Sequence, residues 1–598
     1  MTLSEKDCVY VSSRGLLKSC NIHSNNPISD YRGLDWNALK SAISTCNQVC
    51  PTVYICTAAL PVFIQHLDDL PKRIILVSGD SDLACTDIDY AKIIECRKIA
   101  HWFAQNCNLP VNLSHRVTPM PIGLDYHTLA NTKGEHAWGY PESPVDQEAL
   151  LLAIEKTPLK ERKLACYANF QFFTKSRYGP VREDAVLKLN ERPHLVYYEP
   201  EKVERAITWA NQLDYAFVIS PPGNGLDCHR TWEALVLGCI PVVVRTGTLL
   251  DELYESLSAL LVDNYSITET DLEKASCSGS STSLTLKYWT NLWAGMQRQE
   301  ERNMQIIGEL PLSPAEAYIP ECTVGLCVYN NEFGLPYVLR NLMELQRNKV
   351  FRINIIAYLN KCSDMSVMSL SYVPMRIING GPADLTQERT ARIALARNGI
   401  LEEIARTKRV PYFAMMDSNE YACVGAIDVN VVKRVMTDES QWDAISFNRE
   451  AGYYDTWALS YEPYIYSFFH FNNWRQVVEK MRADINEKLK WHQAKEHQAK
   501  EHLVPVYSAF NGFSIYKTDK FINCRYSNQI DRTLFPPGSL SKEESLVGQS
   551  ILPSLNNDCE HRAFHLQAVT RGARIFVCPE ALFKKFQGEL PSYCRGPA

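Results

Sequence analysis

Short apolar segments alternate with helical stretches along this chain, and that alternation restricts the fold more than any other feature. The apolar segments in the first half, each followed by polar residues, are 9–13, 52–57, 73–80, 164–170, 195–199, 215–220 and 240–244. Near-continuous apolar strands separated by helices are typical of a parallel sheet covered on both faces. The sequence therefore predicts an α/β protein.

A proline-rich segment divides the chain. PLSPAEAYIP at 311–320 carries three prolines in ten residues, which is typical of a linker. The pattern of strands and helices then restarts with TVGLCVYNNE and RINIIAYLN. We expect two Rossmann-like domains at 1–150 and 151–312, followed by a larger α/β domain with a mixed sheet at 313–598.

A charged helical stretch from 474 to 503 contains the tandem duplication HQAKE-HQAKE. A repeat of five residues does not match the seven-residue repeat of paired helices. We interpret the stretch as a solvated insertion, and a histidine-rich metal tract is the alternative.

Charge and composition exclude several classes of protein. The 598 residues carry a net charge of −6, so the whole chain has no positive electrostatic footprint for nucleic acid. The first residues have no basic region before an apolar core, and runs such as 239–244 are far shorter than a membrane span. The 20 cysteines include no C-x-x-C pair. We expect free thiols, a cytoplasmic location and no integral membrane segment.

The most informative segment is YAFVISPPGNGLDCHRTWEALVLGCIPVVV at 215–244. It predicts a strand, a loop with Gly223 and Gly225, and a helix from about Asp227 to Leu237. The unpaired N–H groups of a helix N-terminus suit a diphosphate, and glycines let the backbone approach it. His229 and Glu233 share one face of that helix. The alternative is a glycine-rich turn in a unit without a ligand.

This segment resembles the donor-site signature of exostosin-type glycosyltransferases, a P-x-G loop followed by R-x-x-E-A-x-x-x-G-C-I-P-V. The resemblance implies a GT-B fold, with the donor bound by the second lobe without a metal and Glu233 on the donor ribose. The candidate donor-binding residues are Gly223, Asn224, Gly225, His229, Arg230, Glu233, Arg177 and Arg182. In the first lobe, the residues expected in loops near the acceptor are Asp80, Asp82, Asp125 and His127.

A second signal is an acidic turn that follows a buried strand. In VPYFAMMDSNE, Asp417 and Asn419 are two residues apart, and their oxygens could converge on a divalent cation. Upstream, the predicted helix 388–405 carries Arg392, Arg397 and Asn398, which could approach a nucleotide. An acidic turn and a solvated basic helix face are the alternatives.

The order of these elements resembles a GT-A glycosyltransferase with a degenerate D-x-D motif. The blocks YDTWAL, FNGFSIYKTDKF and CEH resemble the fungal capsule-associated mannosyltransferase family. The resemblance implies Mn²⁺ or Mg²⁺ on Asp417, Asn419 and His561, with Glu560 or Asp455 as catalytic base. Asn330 is a further donor-binding candidate, and Tyr453, Tyr454 and Trp457 could stack on a sugar or belong to the core.

Together the two signals predict a bifunctional glycosyltransferase with one metal-independent GT-B site and one metal-dependent GT-A site. The expected partners are nucleotide-sugar donors, UDP- or GDP-linked, and a glycan or glycoconjugate acceptor. The alternative is one active module joined to an inactive carbohydrate-binding or scaffolding module. Phosphoryl transfer is disfavoured because GNGLDCHR lacks the Lys-Ser/Thr pair of a P-loop.

Overall fold

The computed structural model of this chain describes residues 4–584 apart from the gaps 155, 157, 171–174, 200, 276–281, 309–318, 382–383, 385–386, 408–409, 420–422, 424, 496–501 and 553–555. The chain forms two compact units, Met1–Glu301 and Arg302–Ala598. Most of the predicted linker and the second half of the HQAKE duplication lie outside the described residues.

The first unit begins with a four-stranded parallel sheet in the order β1-β2-β3-β4. Its strands are β1 (Thr52–Cys56), β2 (Ile74–Gly79), β3 (Ile99–Ala104) and β4 (Val117–Pro119). The helices of this part are α1 (Ser13–Ser19), α2 (Trp36–Thr45), α3 (Leu60–Phe63), α4 (Tyr90–Glu95), α5 (His127–Asn131) and α6 (Pro144–Ala153). β2 and β3 are buried along their whole length, and β2 lies within the predicted segment 73–80.

The strand predicted at 9–13 is wrong. Tyr10 and Ser12 form only isolated bridges, and α1 begins at Ser13. The Ser12 hydroxyl accepts a hydrogen bond from the Gly15 N–H at 3.0 Å and caps the helix. The helix therefore begins where the predicted strand was expected to end, and the residues before it pair only through isolated bridges.

The second sheet of the first unit has five parallel strands in the order β6-β5-β7-β8-β9. Its strands are β5 (Lys163–Ala168), β6 (Val196–Tyr198), β7 (Tyr215–Ile219), β8 (Ile240–Val244) and β9 (Leu260–Val262). The helices are α7 (Gly179–Asn190), α8 (Arg205–Gln212), α9 (His229–Val236), α10 (Leu249–Glu255), α11 (Glu269–Lys274) and α12 (Leu286–Ile307).

The predicted domain boundaries fall at or near two helices of the structure. The expected division at 150/151 lies inside α6, whose Glu148 accepts hydrogen bonds from the N–H groups of Val9 and Tyr10. The boundary between the compact units, Glu301/Arg302, falls inside α12, before the predicted 312/313. The apolar pattern of a helix does not change where the helix passes from one compact unit to the next. The sequence alone therefore does not locate such a boundary. The division into three domains stays a prediction.

The second unit contains an eight-stranded mixed sheet in the order β12-β11-β10-β13-β17-β15-β18-β16. The strands are β10 (Glu321–Val328), β11 (Arg352–Leu359), β12 (Arg376–Asn379), β13 (Tyr412–Asp417), β14 (Ala426–Ile427), β15 (Ala444–Asn448), β16 (Val504–Val506), β17 (Phe513–Lys517), β18 (Ile575–Ala581) and β19 (Phe583–Lys584). β10 to β13 are parallel, β17 is antiparallel to β13 and β15, and β14 pairs with β19.

The helices of the second unit are α13 (Leu335–Arg347), α14 (Ser366–Leu370), α15 (Arg389–Arg406), α16 (Val429–Thr437), α17 (Trp474–Gln493), α18 (Thr518–Phe521), α19 (Ser539–Val547) and α20 (Glu560–Val569). Two apolar cores, one containing Ile400 and Phe564 and the other Leu339 and Val432, enclose the sheet. The predicted α/β class is confirmed: two parallel Rossmann-like sheets are followed by a larger mixed sheet.

Two further expectations concern cysteines and membranes. Every cysteine within the described ranges is a free thiol. In the same ranges, the helices are too short or too polar to cross a bilayer.

A buried arginine holds the second unit together near the start of α20. Arg562 is fully buried, and its Nε lies 2.9 Å from Asp558 Oδ2. Its guanidinium also donates to the carbonyl oxygens of Trp457, Leu459 and Ile465 at 2.7–3.0 Å. One side chain therefore satisfies three backbone acceptors in the 457–465 segment.

Replacing Arg562 with Met should destabilise the second unit strongly. Removing one partner of a buried ion pair leaves an uncompensated charge and typically costs about 3–5 kcal/mol. We expect the denaturation midpoint, followed by tryptophan fluorescence in urea, to fall clearly. The same change at the exposed Arg482 is the control and should leave the midpoint unchanged; equal effects of both changes would contradict the assignment.

Candidate functional site

A cavity of about 710 Å³ in the first unit gathers most of the predicted donor-binding residues. Its predicted members are Asp82, Arg182, Gly223, Asn224, Gly225, His229, Arg230 and Glu233. Asn169, after β5, and the glycine loop, after β7, both line it. Because β5 and β7 are neighbours although β6 lies between them in the chain, their carboxyl ends mark the topological switch point of the sheet. Ligands of open α/β sheets bind at such points.

The two glycines of the loop allow close packing of neighbouring side chains. A Cβ atom at Gly223 would lie 2.8 Å from Arg182 Nη2, and one at Gly225 would lie 3.0 Å from Asn106 Oδ1. Neither glycine needs a positive φ. The side chains that approach these glycines are those of Asn106 and of Arg182, which lines the cavity.

The helix after the loop begins at His229, two residues later than predicted. Asp227 is instead a buried acceptor for the Ile122 N–H at 2.8 Å, the Trp232 indole at 2.9 Å and the Tyr254 hydroxyl at 2.7 Å. Burial raises the pKa of Asp227. This carboxylate fixes the loop and the start of α9 to the segment that follows β4.

Arg230 has an unpaired donor at the cavity. Its Nε donates to Asn169 Oδ1 at 2.8 Å, while its Nη1 is buried without a hydrogen-bond partner. Burial lowers the pKa of Arg230. A buried guanidinium N–H without an acceptor is costly, so an anionic ligand in the cavity would stabilise it.

Glu233 lies at the cavity but is already paired. Its Oε1 accepts from Arg205 Nε at 2.9 Å and from Arg205 Nη2 at 2.6 Å. Arg205 also stacks on Trp209, with its guanidinium carbon 4.8 Å from the ring centroid. Arg205 holds the carboxylate in place, and the second oxygen of Glu233 remains for a ligand hydroxyl.

The two other predicted arginines differ in position. Arg182 lines the cavity and donates from Nε to the Pro222 carbonyl oxygen at 2.8 Å. Arg177 does not line it; its Nη2 donates to Asp87 Oδ1 at 2.6 Å on the surface. The guanidinium of Arg177, which was expected to contact a phosphate, is therefore paired with Asp87.

Two acidic residues of the first lobe, Asp80 and Asp82, also differ in whether they line the cavity. Asp80 is buried and accepts from Arg14 Nε at 3.1 Å and from the Ser29 hydroxyl at 2.9 Å, so it stabilises its own loop. Asp82 lines the cavity, where burial and the nearby Asp30 raise its pKa. Asp80 therefore stabilises its own loop, whereas Asp82 faces the cavity.

In the second unit, a buried guanidinium joins two of the predicted carboxylates. Arg397 Nη2 donates to Asp417 Oδ1 at 3.0 Å, and its Nη1 lies 3.0 Å from Glu560 Oε1. The guanidinium carbon is 4.5 Å from the Phe510 ring centroid and 5.5 Å from that of Tyr526. Burial alone would lower the pKa of Arg397, but Glu560 and Asp417 outweigh it and raise the pKa.

Asp417 ends β13, next to β10 in the sheet. β10 and β13 are neighbours although β11 and β12 lie between them in the chain, so this is the switch point of the second sheet. Its side chain is 27% exposed, and burial raises its pKa. Beside it, the Ser418 hydroxyl donates to Asn331 Oδ1 at 2.8 Å.

Asp455 differs from the other carboxylates of this site because burial raises its pKa to about 7, with Asp417 and Glu560 adding to the effect. The Asp455 N–H donates to Asn511 Oδ1 at 3.0 Å, and Asp455 Oδ1 accepts from the Ala458 N–H at 3.2 Å. The Asn511–Gly512 turn also accepts from the Asp417 N–H through the Gly512 carbonyl at 2.8 Å. One turn thus positions both Asp417 and Asp455.

His561 is 1% exposed and stacks on Phe510, with ring centroids 3.9 Å apart. Its Nε2 lies 3.7 Å from Glu560 Oε1, and neither ring nitrogen has a hydrogen-bond partner. Burial lowers its pKa well below the usual value, so the ring is neutral. His561 therefore lies beside Glu560 in an enclosed, aromatic position, and its place in the metal site stays a prediction.

The remaining predicted donor-binding residues stabilise loops and helices. Asn330 exchanges two hydrogen bonds with Ser363 at 2.8 and 3.0 Å. Asn398 exchanges two with the backbone of Tyr526, so its amide positions that aromatic ring instead of pointing to a nucleotide. Arg392 lies over the Tyr329 ring at 5.2 Å.

The aromatic block after β15 splits between core and surface. Tyr453 is buried in the apolar core, and Trp457 packs partly buried against it. Tyr454 is 50% exposed, with the Arg449 guanidinium 5.3 Å from its ring centroid. Only Tyr454 is open enough to stack on a sugar.

The donor atoms suit a divalent cation at Asp417 and Asn419. A partly exposed carboxylate at a strand end, followed two residues later by an amide, supplies the oxygen ligands that Mg²⁺ and Mn²⁺ accept. Arg397 contacts only Oδ1 of Asp417, which leaves Oδ2 for a metal. Among the described residues, the one group of three converging His, Cys, Asp or Glu ligands lies elsewhere, at His502, Cys578 and Glu580, where Arg434 pairs with Glu580.

Comparisons with known proteins give structural likenesses only. No protein-family model and no curated protein sequence matches the chain. Glucosyl-3-phosphoglycerate synthase from Mycobacterium tuberculosis, in complex with Mn²⁺, UDP-glucose and glycerol 3-phosphate, is 10% identical at TM-score 0.22 over 46% of this chain and 79% of its own. Galactosyltransferase LgtC, with donor and acceptor sugar analogues, is 10% identical at TM-score 0.21 over 43% and 72%.

Mannosyltransferase PcManGT from Pyrobaculum calidifontis, in complex with GDP-Man and Mn²⁺, is 12% identical at TM-score 0.21 over 50% of this chain and 67% of its own. Because these TM-scores lie well below 0.5, we draw no conclusion about ligands or activity from them.

Sequence reasoning missed several residues that build the two sites. Arg205, Trp138 and Asn106 line or support the first cavity, and Phe510, Tyr526 and Asn511 frame the second site. The Asn511-Gly512 pair was the one available signal, since Asn-Gly marks a turn with positive φ. Arg205 gave no signal because its partner Glu233 is 28 residues away.

Replacing Asp455 with Asn should stabilise the chain at alkaline pH. The folded pKa of about 7 lies above the unfolded value, so folding favours the protonated carboxyl. The stability that this proton provides is fully present below the unfolded pKa of about 4 and is lost as the pH rises from there to 7. We expect Asp455→Asn to raise the melting temperature at pH 8.5, and to do so much less at pH 3.5, both in EDTA. The exposed Asp519→Asn is the control; a gain of equal size at both pH values would contradict the shifted pKa.

Proposed function

We propose that this chain is a glycosyltransferase with two sites, each using a nucleotide-sugar donor and a glycan or glycoconjugate acceptor. The observation that carries the proposal is the cavity of the first unit. It combines a glycine loop at a sheet switch point with the buried, unpaired Nη1 of Arg230. This arrangement favours a ligand that is both anionic and extended, as a nucleoside diphosphate sugar is.

The cavity walls match the parts of such a donor. Arg230 and Arg182 supply positive charge beside the glycine loop, where a diphosphate would lie. Glu233, held by Arg205, offers a carboxylate oxygen to ribose hydroxyls. Trp138 and Phe170 add apolar surface for the nucleobase of the donor. A cavity of about 710 Å³ is of the size that encloses a ligand of this kind.

At this first site the leaving group can be stabilised by the protein alone. Negative charge develops on the diphosphate as its bond to the sugar breaks. Fixed donors aimed at that charge lower the barrier because they need no reorganisation. Arg230 and Arg182 fill that role, and we propose that the first site is independent of metal and of GT-B type.

For the second site we propose a GT-A type centre in which Asp417 and Asn419 hold Mn²⁺ or Mg²⁺. Such an ion would neutralise the diphosphate of the donor. His561 is too enclosed to complete the ligand set without movement of Phe510. Arg397 fixes one oxygen of Asp417 and so orients the other.

The base of the second site is assigned to Asp455 rather than Glu560. Glu560 lies 3.0 Å from Arg397, and that ion pair holds its carboxylate against the guanidinium. Asp455 has a pKa of about 7, close to the value at which a general base is most effective near neutral pH. Tyr454, exposed beside it, is placed to stack on the acceptor.

A second candidate function has its own support. The contact of Arg397 with Asp417 places a permanent cation where a metal would act. If that cation replaces the metal without supporting catalysis, the second unit is an inactive carbohydrate-binding module. Free thiols throughout the described residues support a reducing compartment, and we propose the cytoplasm.

The test is a panel of UDP- and GDP-sugars, scored for nucleotide release by the full chain with Mn²⁺ and with EDTA. We expect release in both conditions, since each site should turn over a donor slowly to water. If the rate of nucleotide release is the same with EDTA as with Mn²⁺, only the metal-independent site is active, and the binding-module alternative is favoured. No release from any donor would reject the glycosyltransferase proposal.

Glu233→Ala should lower the EDTA-resistant release. Losing a charged hydrogen bond to the ribose costs about 1.5–3 kcal/mol, which corresponds to roughly 10- to 150-fold in kcat/KM. The Mn²⁺-dependent release should stay within a factor of about two. The control is Glu255→Ala, which breaks an exposed pair with Arg245 at 2.9 Å. Equal loss of both activities would contradict two separate sites.

Asp417→Ala should abolish the Mn²⁺-dependent release, because it removes the carboxylate of the cation site. A fall of about 100-fold or more is expected, with the EDTA-resistant release unchanged. The exposed Asp519→Ala is the matched control. If EDTA leaves all nucleotide release of the unmodified chain intact, the metal assignment is wrong.

A further inference from the structure

Three titratable side chains lie together beside the first cavity. Asp125 follows β4 and is buried, while His127 begins α5 and His229 begins α9. Asp125 Oδ1 lies 3.0 Å from His127 Nδ1, and Asp125 Oδ2 lies 4.0 Å from His229 Nε2. One carboxylate therefore faces two imidazoles.

Asp125 is fixed independently of the histidines. It accepts hydrogen bonds from the Thr128 N–H at 2.9 Å and from the Thr128 hydroxyl at 2.7 Å. The two imidazoles and Arg205 outweigh the effect of burial and hold the pKa of Asp125 below its usual range. Asp125 is thus a rigid anion at neutral pH.

The contacts also favour one tautomer of each ring. His127 Nδ1 lies 3.0 Å from Asp125 Oδ1, and this carboxylate favours the neutral tautomer with the proton on Nδ1 and the lone pair on Nε2. His229 turns Nδ1 to the Gly123 carbonyl oxygen at 2.7 Å, which can only accept. His229 lines the donor cavity, and the two ring centroids are 6.3 Å apart.

We propose that His127, oriented by Asp125, is the general base of the first site. This inference rests on the proposed glycosyl transfer there. His127 Nε2 takes the proton of the acceptor hydroxyl while that oxygen attacks the anomeric carbon. The bond from that carbon to the diphosphate oxygen breaks, and the nucleoside diphosphate leaves with the electron pair. Asp125 stabilises the imidazolium that forms.

The surroundings keep His127 ready to accept a proton. Burial lowers its pKa, Asp125 and Asp80 oppose that effect, and His229 and Arg14 add to it. The ring is therefore neutral at pH 7. Activity should be full above the usual histidine range and should fall as the pH drops through the lowered pKa of His127.

The proposal fixes the stereochemical course. A base on the acceptor and a single displacement at the anomeric carbon invert its configuration. With water as acceptor, the released sugar should first appear in the inverted anomeric form by proton NMR, before mutarotation. A released sugar with retained configuration would overturn the proposal.

The experiment uses the full chain in EDTA with a donor that the unmodified protein hydrolyses. His127→Gln should lower kcat by about 100-fold or more while the affinity for the nucleoside diphosphate, measured by calorimetry, is retained. His127→Ala should be partly rescued by added imidazole, which a merely structural role would not permit. The control is His194→Gln, which removes an exposed imidazole 2.6 Å from Glu269 and should leave kcat unchanged.

Asp125→Asn provides a second, size-conserving variant. Loss of the carboxylate should lower kcat and move the acidic limb of its pH profile to lower pH, because Asp125 raises the pKa of His127. A kcat for His127→Gln within about threefold of the unmodified chain, or an unmoved limb in Asp125→Asn, would overturn the proposal. If the unmodified chain releases no nucleotide, the proposed function itself fails, which is a distinct outcome.

Discussion

The carboxyl ends of parallel strands meet at one edge of a sheet, and both candidate sites depend on that constraint. In the first unit the glycine loop follows β7 and Asn169 follows β5, which are adjacent although β6 separates them in the chain. In the second unit β10 and β13 are adjacent in the same way, and Asp417 ends β13. Loops that leave two such strands in opposite directions open a crevice between them. Both candidate sites therefore lie at the switch point of a sheet, one in each unit.

Buried charges are the second common element. Arg205 with Glu233, and Arg397 with Asp417 and Glu560, are pairs from distant parts of the sequence that lie out of water. The desolvation of such pairs can exceed their attraction, so they are poor sources of stability. Their value is positional, because each arginine fixes one oxygen of the carboxylate that it contacts. A neutral pair of similar size would not hold that orientation.

The elements that sequence predicted well are those whose signal is local. The strands β2, β7 and β13 follow from short apolar runs, and α15 follows from a long periodic segment. The glycine loop and the acidic turn were recognisable for the same reason, since each lies within a few residues. The segment 9–13 is apolar but forms only isolated bridges, and a serine cap at position 12 starts a helix directly after it.

The partners within each site were not predictable, because they are set by tertiary contacts. Arg205 reaches Glu233 only after α8 and α9 have packed, and Arg397 contacts Glu560 across more than 160 residues. Asn398 lies next to Arg397, yet its amide hydrogen-bonds the backbone of Tyr526. A sequence reveals that such residues are polar and placed on a helix, whereas their partners depend on how distant elements pack.

Asp227 links the two sheets of the first unit at the ligand cavity. It is buried, and it accepts hydrogen bonds from the Ile122 N–H, after the first sheet, and from Trp232 and Tyr254, in the helices α9 and α10 beside the second sheet. Separating the two sheets would strip this buried carboxylate of its donors, which is costly. Because Asp227 also lines the cavity, the contact that joins the two sheets and the residues that would meet a ligand lie at one place in the fold.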